Sequence, residues 1–139
     1  ERNTTRWGFR EICEKRAAAV LQPDIRHCGG ILEMRKIASL AEIHYLSIAP
    51  HSASDPLGVV ASVHAMAGVP NFLIQEYGGG NGEELFHEPL TFQDGFVELP
   101  EGPGMGVTID EQKLEALRIT EWGQRSSRRH PEDDSVNDI

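Results

Sequence analysis

The chain has 139 residues, of which 39% are hydrophobic and 25% charged, an ordinary composition for one modest globular domain. Its 22 acidic and 13 basic residues give a net charge of −9, which excludes nucleic acid as an expected partner, because a phosphate backbone requires clustered Lys and Arg. The sequence shows no apolar run long enough for a bilayer, no secretory signal, and only two cysteines, in no disulfide or metal spacing. We therefore expect no membrane partner and a cytoplasmic location.

The first half of the chain alternates helical and strand patterns. Apolar residues at helical spacing predict helices over residues 7–19, 31–44 and 57–66. Short apolar runs predict strands over residues 19–21, 45–49 and 72–75. Strands that alternate with helices are typical of βα units, and these patterns therefore predict an α/β fold with a parallel sheet.

After a glycine-rich stretch, the second half of the chain no longer alternates helical and strand patterns. The dipeptide Asp94-Gly95 separates residues 90–93 from residues 96–99 and predicts a β-hairpin. Asp110 is placed to cap a helix over residues 111–118. The polar residues 122–139 predict a poorly ordered C-terminal tail.

Ionisable residues follow the apolar runs at a regular interval. Asp24, His51 and Glu76 each come just after a predicted strand, and Glu1 precedes Asp24 by a similar distance. The interval is about 25 residues, close to one βα unit of an eightfold barrel, in which the C-terminal strand ends carry the active site. We therefore expect these four side chains to lie together at the mouth of the barrel, which is the end where the C-terminal ends of the strands meet. A polar residue at a strand end is also what any chain returning to water requires.

Asp24 and His51 have the chemistry of a proton-transfer pair. Adjacent strands lie about 4.8 Å apart, so a carboxylate-to-imidazole hydrogen bond is feasible. Such a bond fixes the tautomer of the ring and favours the imidazolium, which lets His51 take a proton from carbon or give one to a leaving hydroxyl. The alternative is a histidine that only satisfies a backbone group. The other histidines are interpreted as structural or surface residues: His27, His44, His64, His87 and His130.

Glu1 and Glu76 require a separate interpretation. A Mg²⁺ ion takes carboxylate oxygens as ligands. One carboxylate at a strand end cannot hold the ion alone, so further ligands must come from elsewhere.

Five short sequence motifs are distributed between residues 22 and 106. They are QPD at 22–24, HCGGI at 27–31, APH at 49–51, QE at 75–76 and PGMG at 103–106. Together they resemble the acid-sugar dehydratases related to mandelate racemase, of the galactonate dehydratase type, in the enolase superfamily. The resemblance implies that residues 1–121 are the C-terminal part of a (β/α)8 barrel, roughly strands 6 to 8 with their helices, followed by the tail at residues 122–139.

The same resemblance implies a reaction and a role for each candidate residue. The reaction is abstraction of the α-proton of a sugar acid, giving an enediolate that Mg²⁺ stabilises and that expels the β-hydroxyl to leave a 2-keto-3-deoxy acid. Glu1 would be the last of three metal ligands. Asp24 and His51 would be the general base or acid, and Glu76 would hydrogen-bond the substrate carboxylate.

The chain departs from the family pattern in two ways. Residues 52–55 read SASD, where relatives usually carry a polar residue, a Pro and a Gly-Pro pair, which leaves the sugar acid open. The other metal ligands, the second acid/base residue and the capping domain would precede Glu1. We therefore expect these residues to be part of a longer enzyme, inactive without its N-terminal half, and the resemblance implies that this enzyme is a homo-oligomer. A racemase or epimerase, or a non-catalytic relative, remains an alternative.

Overall fold

The computed structural model describes residues 1–52, 56–78 and 80–119, so the predicted tail at residues 122–139 lies outside the described residues. The elements in chain order are α1 (Thr5–Glu14), β1 (Val20–Leu21), α2 (Ile25–Cys28), α3 (Gly30–Ile43), β2 (Ser47–Ile48), α4 (Pro56–Met66), β3 (Phe92–Gln93), β4 (Phe96–Val97) and α5 (Glu111–Ala116). Helices and parallel extended segments alternate as far as Phe72. Among the described helices, none combines the length and the apolar character needed to cross a bilayer.

Three extended segments lie side by side in parallel. β1 pairs with β2 in the register Val20 to Ser47 and Leu21 to Ile48, and Ile48 forms a further parallel bridge to Phe72. The ladder continues past the short strands, because the amide of His51 donates to the carbonyl of Pro23 at 3.1 Å. The carboxyl ends of the segments therefore lie next to each other.

Helices α1 and α3 both end in a left-handed residue that turns the chain toward a strand. After α1, Arg16 has φ +48°, and the amides of Arg16 and Ala17 donate to the carbonyls of Cys13 and Ile12, both at 3.0 Å. This is a Schellman motif, in which the last helical carbonyls find partners. The helix predicted over residues 7–19 is therefore wrong at its C-terminal end. Tyr45, with φ +58°, ends α3 in the same way, so β2 begins at Ser47.

The third predicted strand, over residues 72–75, is also shorter than expected. Only Phe72 forms a ladder bridge, although the amides of Leu73 and Glu76 donate to the carbonyls of Ile48 and Pro50. Within the described part of the chain, this segment has a neighbouring segment on one side only. Pairing at residues 72–75 is thus confined to one bridge and two further hydrogen bonds.

Helix α4 separates two clusters of buried side chains. Its sequence is apolar all round, as expected for a helix buried on both sides. On one side lies the main core, which α1, β1, α3 and β2 share: Phe9, Cys13, Leu21, Ile25, Cys28, Met34, Ile37, Ala38, Ala41, Leu46, Ile48, Ala65 and Met66. On the other side Val59, Val60 and Val63 pack with Phe86 and Leu90. The segment after residue 80 is thus anchored to the helix that also contributes Ala65 and Met66 to the main core.

The second half of the chain carries a hairpin and a capped helix. β3 and β4 pair antiparallel through Asp94 and Gly95, whose φ values of +52° and +83° suit a turn with two left-handed residues. The side chain of Asp110 accepts hydrogen bonds from the amides of Gln112 and Lys113, which confirms the predicted cap of α5.

Gly29 joins α2 to α3, and only glycine fits the backbone conformation at this position. Its φ is +113°, and a Cβ there would lie 3.1 Å from the Cβ of Glu33. We expect Gly29→Ala to lower the free energy of unfolding by about 2 kcal/mol, because an L-residue is strained at this φ. The measurement is urea unfolding of the purified protein.

The matched control is Gly68→Ala, because a Cβ at Gly68 meets nothing within 4 Å. That variant should match the parent or be slightly more stable, since alanine reduces the freedom of the unfolded chain. Equal stability of the two alanine variants would contradict the prediction.

Candidate active site

Asp24 lies at the end of β1 and has no exposed surface. It caps α2, because Oδ1 accepts a hydrogen bond from the amide of Arg26 at 2.8 Å. Pro23, just before it, has no amide to donate and so suits the point where the strand ends. A short strand and a capped helical turn therefore fix Asp24 at the carboxyl edge of the parallel segments.

His51 occupies the equivalent position after β2. The backbone of Asp24 and His51 forms a parallel bridge, and Nδ1 of the ring lies 2.9 Å from Oδ2 of Asp24. The side chain of His51 is 20% exposed, so the ring faces solvent with one edge only. The hydrogen bond that the sequence predicted between these two residues is confirmed.

The environment of Asp24 keeps its carboxyl group ionised. Burial by itself raises the pKa of Asp24, but the hydrogen bonds from Arg26 and His51 lower it by more, and the pKa falls well below its usual range. An ionised carboxylate can only accept hydrogen bonds, so Nδ1 of His51 must carry the proton. In a neutral ring, Nε2 then holds the free lone pair.

Nε2 of His51 faces the two other candidate carboxylates. Oε2 of Glu1 lies 2.8 Å from Nε2, and Oε2 of Glu76 lies 3.9 Å from it. Glu76 is held in place by the amide of Ser52, which donates to Oε2 at 2.8 Å. The structure therefore brings together all four of the residues that were predicted to share one mouth.

Arg26 is the site residue that sequence reasoning missed. Its guanidinium donates to both oxygens of Asp24, from Nε to Oδ1 at 3.1 Å and from Nη2 to Oδ2 at 2.6 Å. Arg26 does not directly follow an apolar run, which is the feature that singled out Asp24, His51 and Glu76. A usable signal was present, because an Asp that caps a helix brings the residue two positions later next to its carboxylate.

The remaining histidines of the described residues lie away from Nε2 of His51. Nε2 of His64 is 2.9 Å from the carbonyl of Met105, and Nδ1 of His87 is 3.5 Å from Asp110. His27 is closer to the site than expected, with Nδ1 3.9 Å from Oδ2 of Asp24, but its side chain is 61% exposed. His130 lies outside the described residues.

A divalent cation would find only part of a ligand set among these residues. No group of three His, Cys, Asp or Glu side chains in the described ranges is arranged to hold a metal ion. Glu1 has a half-exposed carboxylate at the mouth, which is the donor type that Mg²⁺ prefers. Glu1 therefore has the donor chemistry of one such ligand.

Comparison with known proteins identifies the family. The sequence model described as "Enolase C-terminal domain-like" matches residues 1–113. The chain belongs to the enolase superfamily. Its described βα units are thus part of the α/β barrel domain of this superfamily, in which strand ends converge on one face.

Two curated enolase-superfamily relatives are dehydratases of sugar acids. D-xylonate dehydratase of Haloferax volcanii is 40% identical over 117 residues, which cover 82% of this chain and 28% of that protein. D-galactonate dehydratase of Variovorax paradoxus is 33% identical over 123 residues, with coverage of 82% and 32%. The chain therefore spans about 30% of the length of these relatives.

A solved structure from the same superfamily has the same fold. An enolase from Agrobacterium radiobacter, bound to Na and L-malate, superposes with a TM-score of 0.79 at 35% identity. The match covers 95% of this chain and 37% of that one.

The lowered pKa of Asp24 predicts how its contribution to stability depends on pH. A group whose pKa is lower in the folded state stabilises the fold above its unfolded value of about 3.9, and this contribution is lost as the pH falls below that value. We expect Asp24→Asn to be about 3 kcal/mol less stable than the parent near neutral pH, because the variant loses the charge-assisted hydrogen bonds from Arg26 and His51 and places a buried amide NH₂ among these donors.

The difference should shrink at about pH 3, because Asp24 then takes up a proton in the unfolded chain and this stabilises the unfolded state of the parent. Urea unfolding at both pH values measures it. Asp94→Asn, in the turn between β3 and β4, controls for the loss of one acidic residue. A gap between parent and Asp24→Asn that is the same at both pH values would show that Asp24 is not preferentially ionised in the fold.

Proposed function

We propose that the full-length protein is a Mg²⁺-dependent acid-sugar dehydratase of the galactonate dehydratase type, which converts a sugar acid to a 2-keto-3-deoxy acid. One observation carries the proposal: His51 donates through Nδ1 to a buried, ionised Asp24 and directs Nε2 toward Glu1 and Glu76. The dehydratase activity of the curated relatives supports the choice of reaction. In this proposal residues 1–121 are barrel strands six to eight with their helices, and residues 122–139 are a tail.

His51 is the proposed base that removes the α-proton. Asp24 holds the ring with its proton on Nδ1, so the lone pair on Nε2 is free to accept a proton from carbon. The electron pair of the C–H bond moves toward the substrate carboxylate. When the bond to the β-hydroxyl breaks, that pair forms a carbon–carbon double bond, and the proton on Nε2 can leave with the hydroxide as water. The enol that remains becomes the 2-keto product.

Glu1 is the proposed metal ligand of this chain. Oε2 of Glu1 and a substrate C–H group cannot occupy the same position at Nε2 of His51, so Glu1 must lie away from the ring in the working site. When the Glu1 carboxylate is turned away from His51 toward the mouth, its oxygens are available to Mg²⁺. When bound, Mg²⁺ supplies positive charge that stabilises the developing negative charge on the substrate carboxylate. The ligands that complete the set would come from residues beyond the described ranges.

Glu76 is the proposed partner of the substrate carboxylate. The amide of Ser52 occupies Oε2, which leaves Oε1 available for the substrate. A carboxyl group can donate a hydrogen bond only in its acid form, so this role requires Glu76 to carry a proton when the substrate is bound. A hydrogen bond from Glu76 would strengthen as charge builds on the substrate carboxylate, which is how such a donor accelerates the reaction.

The test is turnover by the full-length protein with Mg²⁺ across a panel of sugar acids that begins with D-xylonate and D-galactonate. We expect a 2-keto-3-deoxy acid from at least one of them, and a loss of at least about 100-fold in kcat for His51→Asn, which retains no general base. His87→Asn, at an exposed histidine, is the matched control and should keep the parent activity.

Failure to form product from any acid, by a folded protein, would reject dehydration of that panel. Exchange of the α-hydrogen with solvent deuterium under the same conditions would then favour a racemase or epimerase, which uses the same pair without losing hydroxide. Absence of both reactions would favour a non-catalytic relative. Self-association and a cytoplasmic location stay predictions of the proposal.

A further inference from the structure

The Asp24 carboxylate is held in place chiefly by hydrogen bonds from one neighbouring residue. Four hydrogen bonds from the described residues converge on it, and Arg26 donates three of them: from its amide to Oδ1 at 2.8 Å, from Nε to Oδ1 at 3.1 Å, and from Nη2 to Oδ2 at 2.6 Å. The fourth comes from Nδ1 of His51 to Oδ2 at 2.9 Å. Among the described residues, the hydrogen bonds to the Asp24 carboxylate other than that of His51 therefore all come from Arg26.

The planar guanidinium fixes the direction in which Oδ2 points. Two parallel N–H groups that meet the two oxygens of one carboxylate define its plane as well as its position. Rotation of the Asp24 carboxylate about its Cβ–Cγ bond would break both bonds at once. Oδ2 therefore stays where it can accept the proton of Nδ1, and the ring of His51 keeps Nε2 at the mouth.

Helix stability does not account for an arginine at this place. α2 has only four residues, so its first and last turns coincide and the helix dipole gives no net preference for a positive charge at position 26. Neutralising the buried charge of Asp24 is a simpler role, and any cation at position 26 would serve it. The fork geometry gives a second role that a lysine could not fill.

We propose that Arg26 is a positioning residue, whose guanidinium orients the Asp24 carboxylate and through it the imidazole of His51. The consequence for catalysis rests on the proposed function, in which His51 transfers the proton. Arg26 itself acts on Asp24 and not on the reacting atoms. Its loss should therefore slow the chemical step while substrate binding is largely kept.

The kinetic test uses the full-length protein with Mg²⁺ and the sugar acid that it turns over best. For Arg26→Ala and Arg26→Lys we expect kcat to fall about 10- to 100-fold, as for other residues that orient a catalytic ligand, with KM changed less than about threefold. Arg35→Ala, at an exposed position of α3, is the matched control and should stay within about twofold of the parent.

Three further outcomes test whether the geometry of Arg26, its charge alone or its effect on folding controls kcat. The side chain of Arg26 is 35% exposed, so added methylguanidinium can reach the space left in Arg26→Ala and should restore part of kcat. Full activity in Arg26→Lys would overturn the proposal, because charge alone would then suffice. So would a fall in activity that only follows the folded fraction measured by circular dichroism.

A measurement independent of turnover distinguishes this inference from the proposed function. At a pH where the ring of His51 is neutral, ¹⁵N NMR of the imidazole should show the proton on Nδ1 in the parent and a mixture of tautomers in Arg26→Ala, with His51→Asn assigning the signals. A protein inactive on every acid that still shows this change would sink the proposed function and keep the positioning role. Turnover by the parent with no change of tautomer in Arg26→Ala would support the proposed function and overturn the positioning role.

Discussion

A buried carboxylate at the end of β1 is the constraint on which the described site depends. Asp24 has no exposed surface, and a charge without water must be neutralised by hydrogen bonds and opposite charges from its neighbours. Arg26 and His51 supply them, and both are fixed in position by doing so. Because the carboxylate is ionised, Nδ1 of His51 carries a proton toward Asp24, and Nε2 is the ring nitrogen that faces Glu1 and Glu76.

Parallel pairing brings the partners to Asp24. The amide of His51 donates to the carbonyl of Pro23, and the amide of Glu76 donates to the carbonyl of Pro50. Each bond sets the register of one strand end against the previous one, so the functional side chains advance along one edge of the sheet. A slip of one residue would turn His51 to the opposite face, and the pair with Asp24 would be lost.

Helix packing holds these short strands in register. β1 and β2 contain two residues each, which is too little for a sheet to be stable alone. The core that they share with α1 and α3 supplies the burial that the ladder lacks, and α4 ties this core to Phe86 and Leu90 farther along the chain. In the enolase superfamily such units are repeated around a closed barrel, where every strand has two neighbours.

The sequence by itself determined the βα alternation, the turn at Asp94-Gly95 and the cap at Asp110, because apolar period and turn chemistry are local properties. Its spacing also predicted that Glu1, Asp24, His51 and Glu76 would meet, since equal βα units place strand ends together. It missed features set by contacts between distant residues or by rare backbone conformations.

Three such features were decided by the tertiary structure. The left-handed turn at Arg16 ends α1 where the apolar pattern continues, and the segment after Phe72 pairs with β2 through a single ladder bridge. Arg26 appears in sequence as one more charged residue in a polar stretch. It becomes part of the site only because folding removes water from Asp24, and a pattern along one chain does not record which groups lose water together.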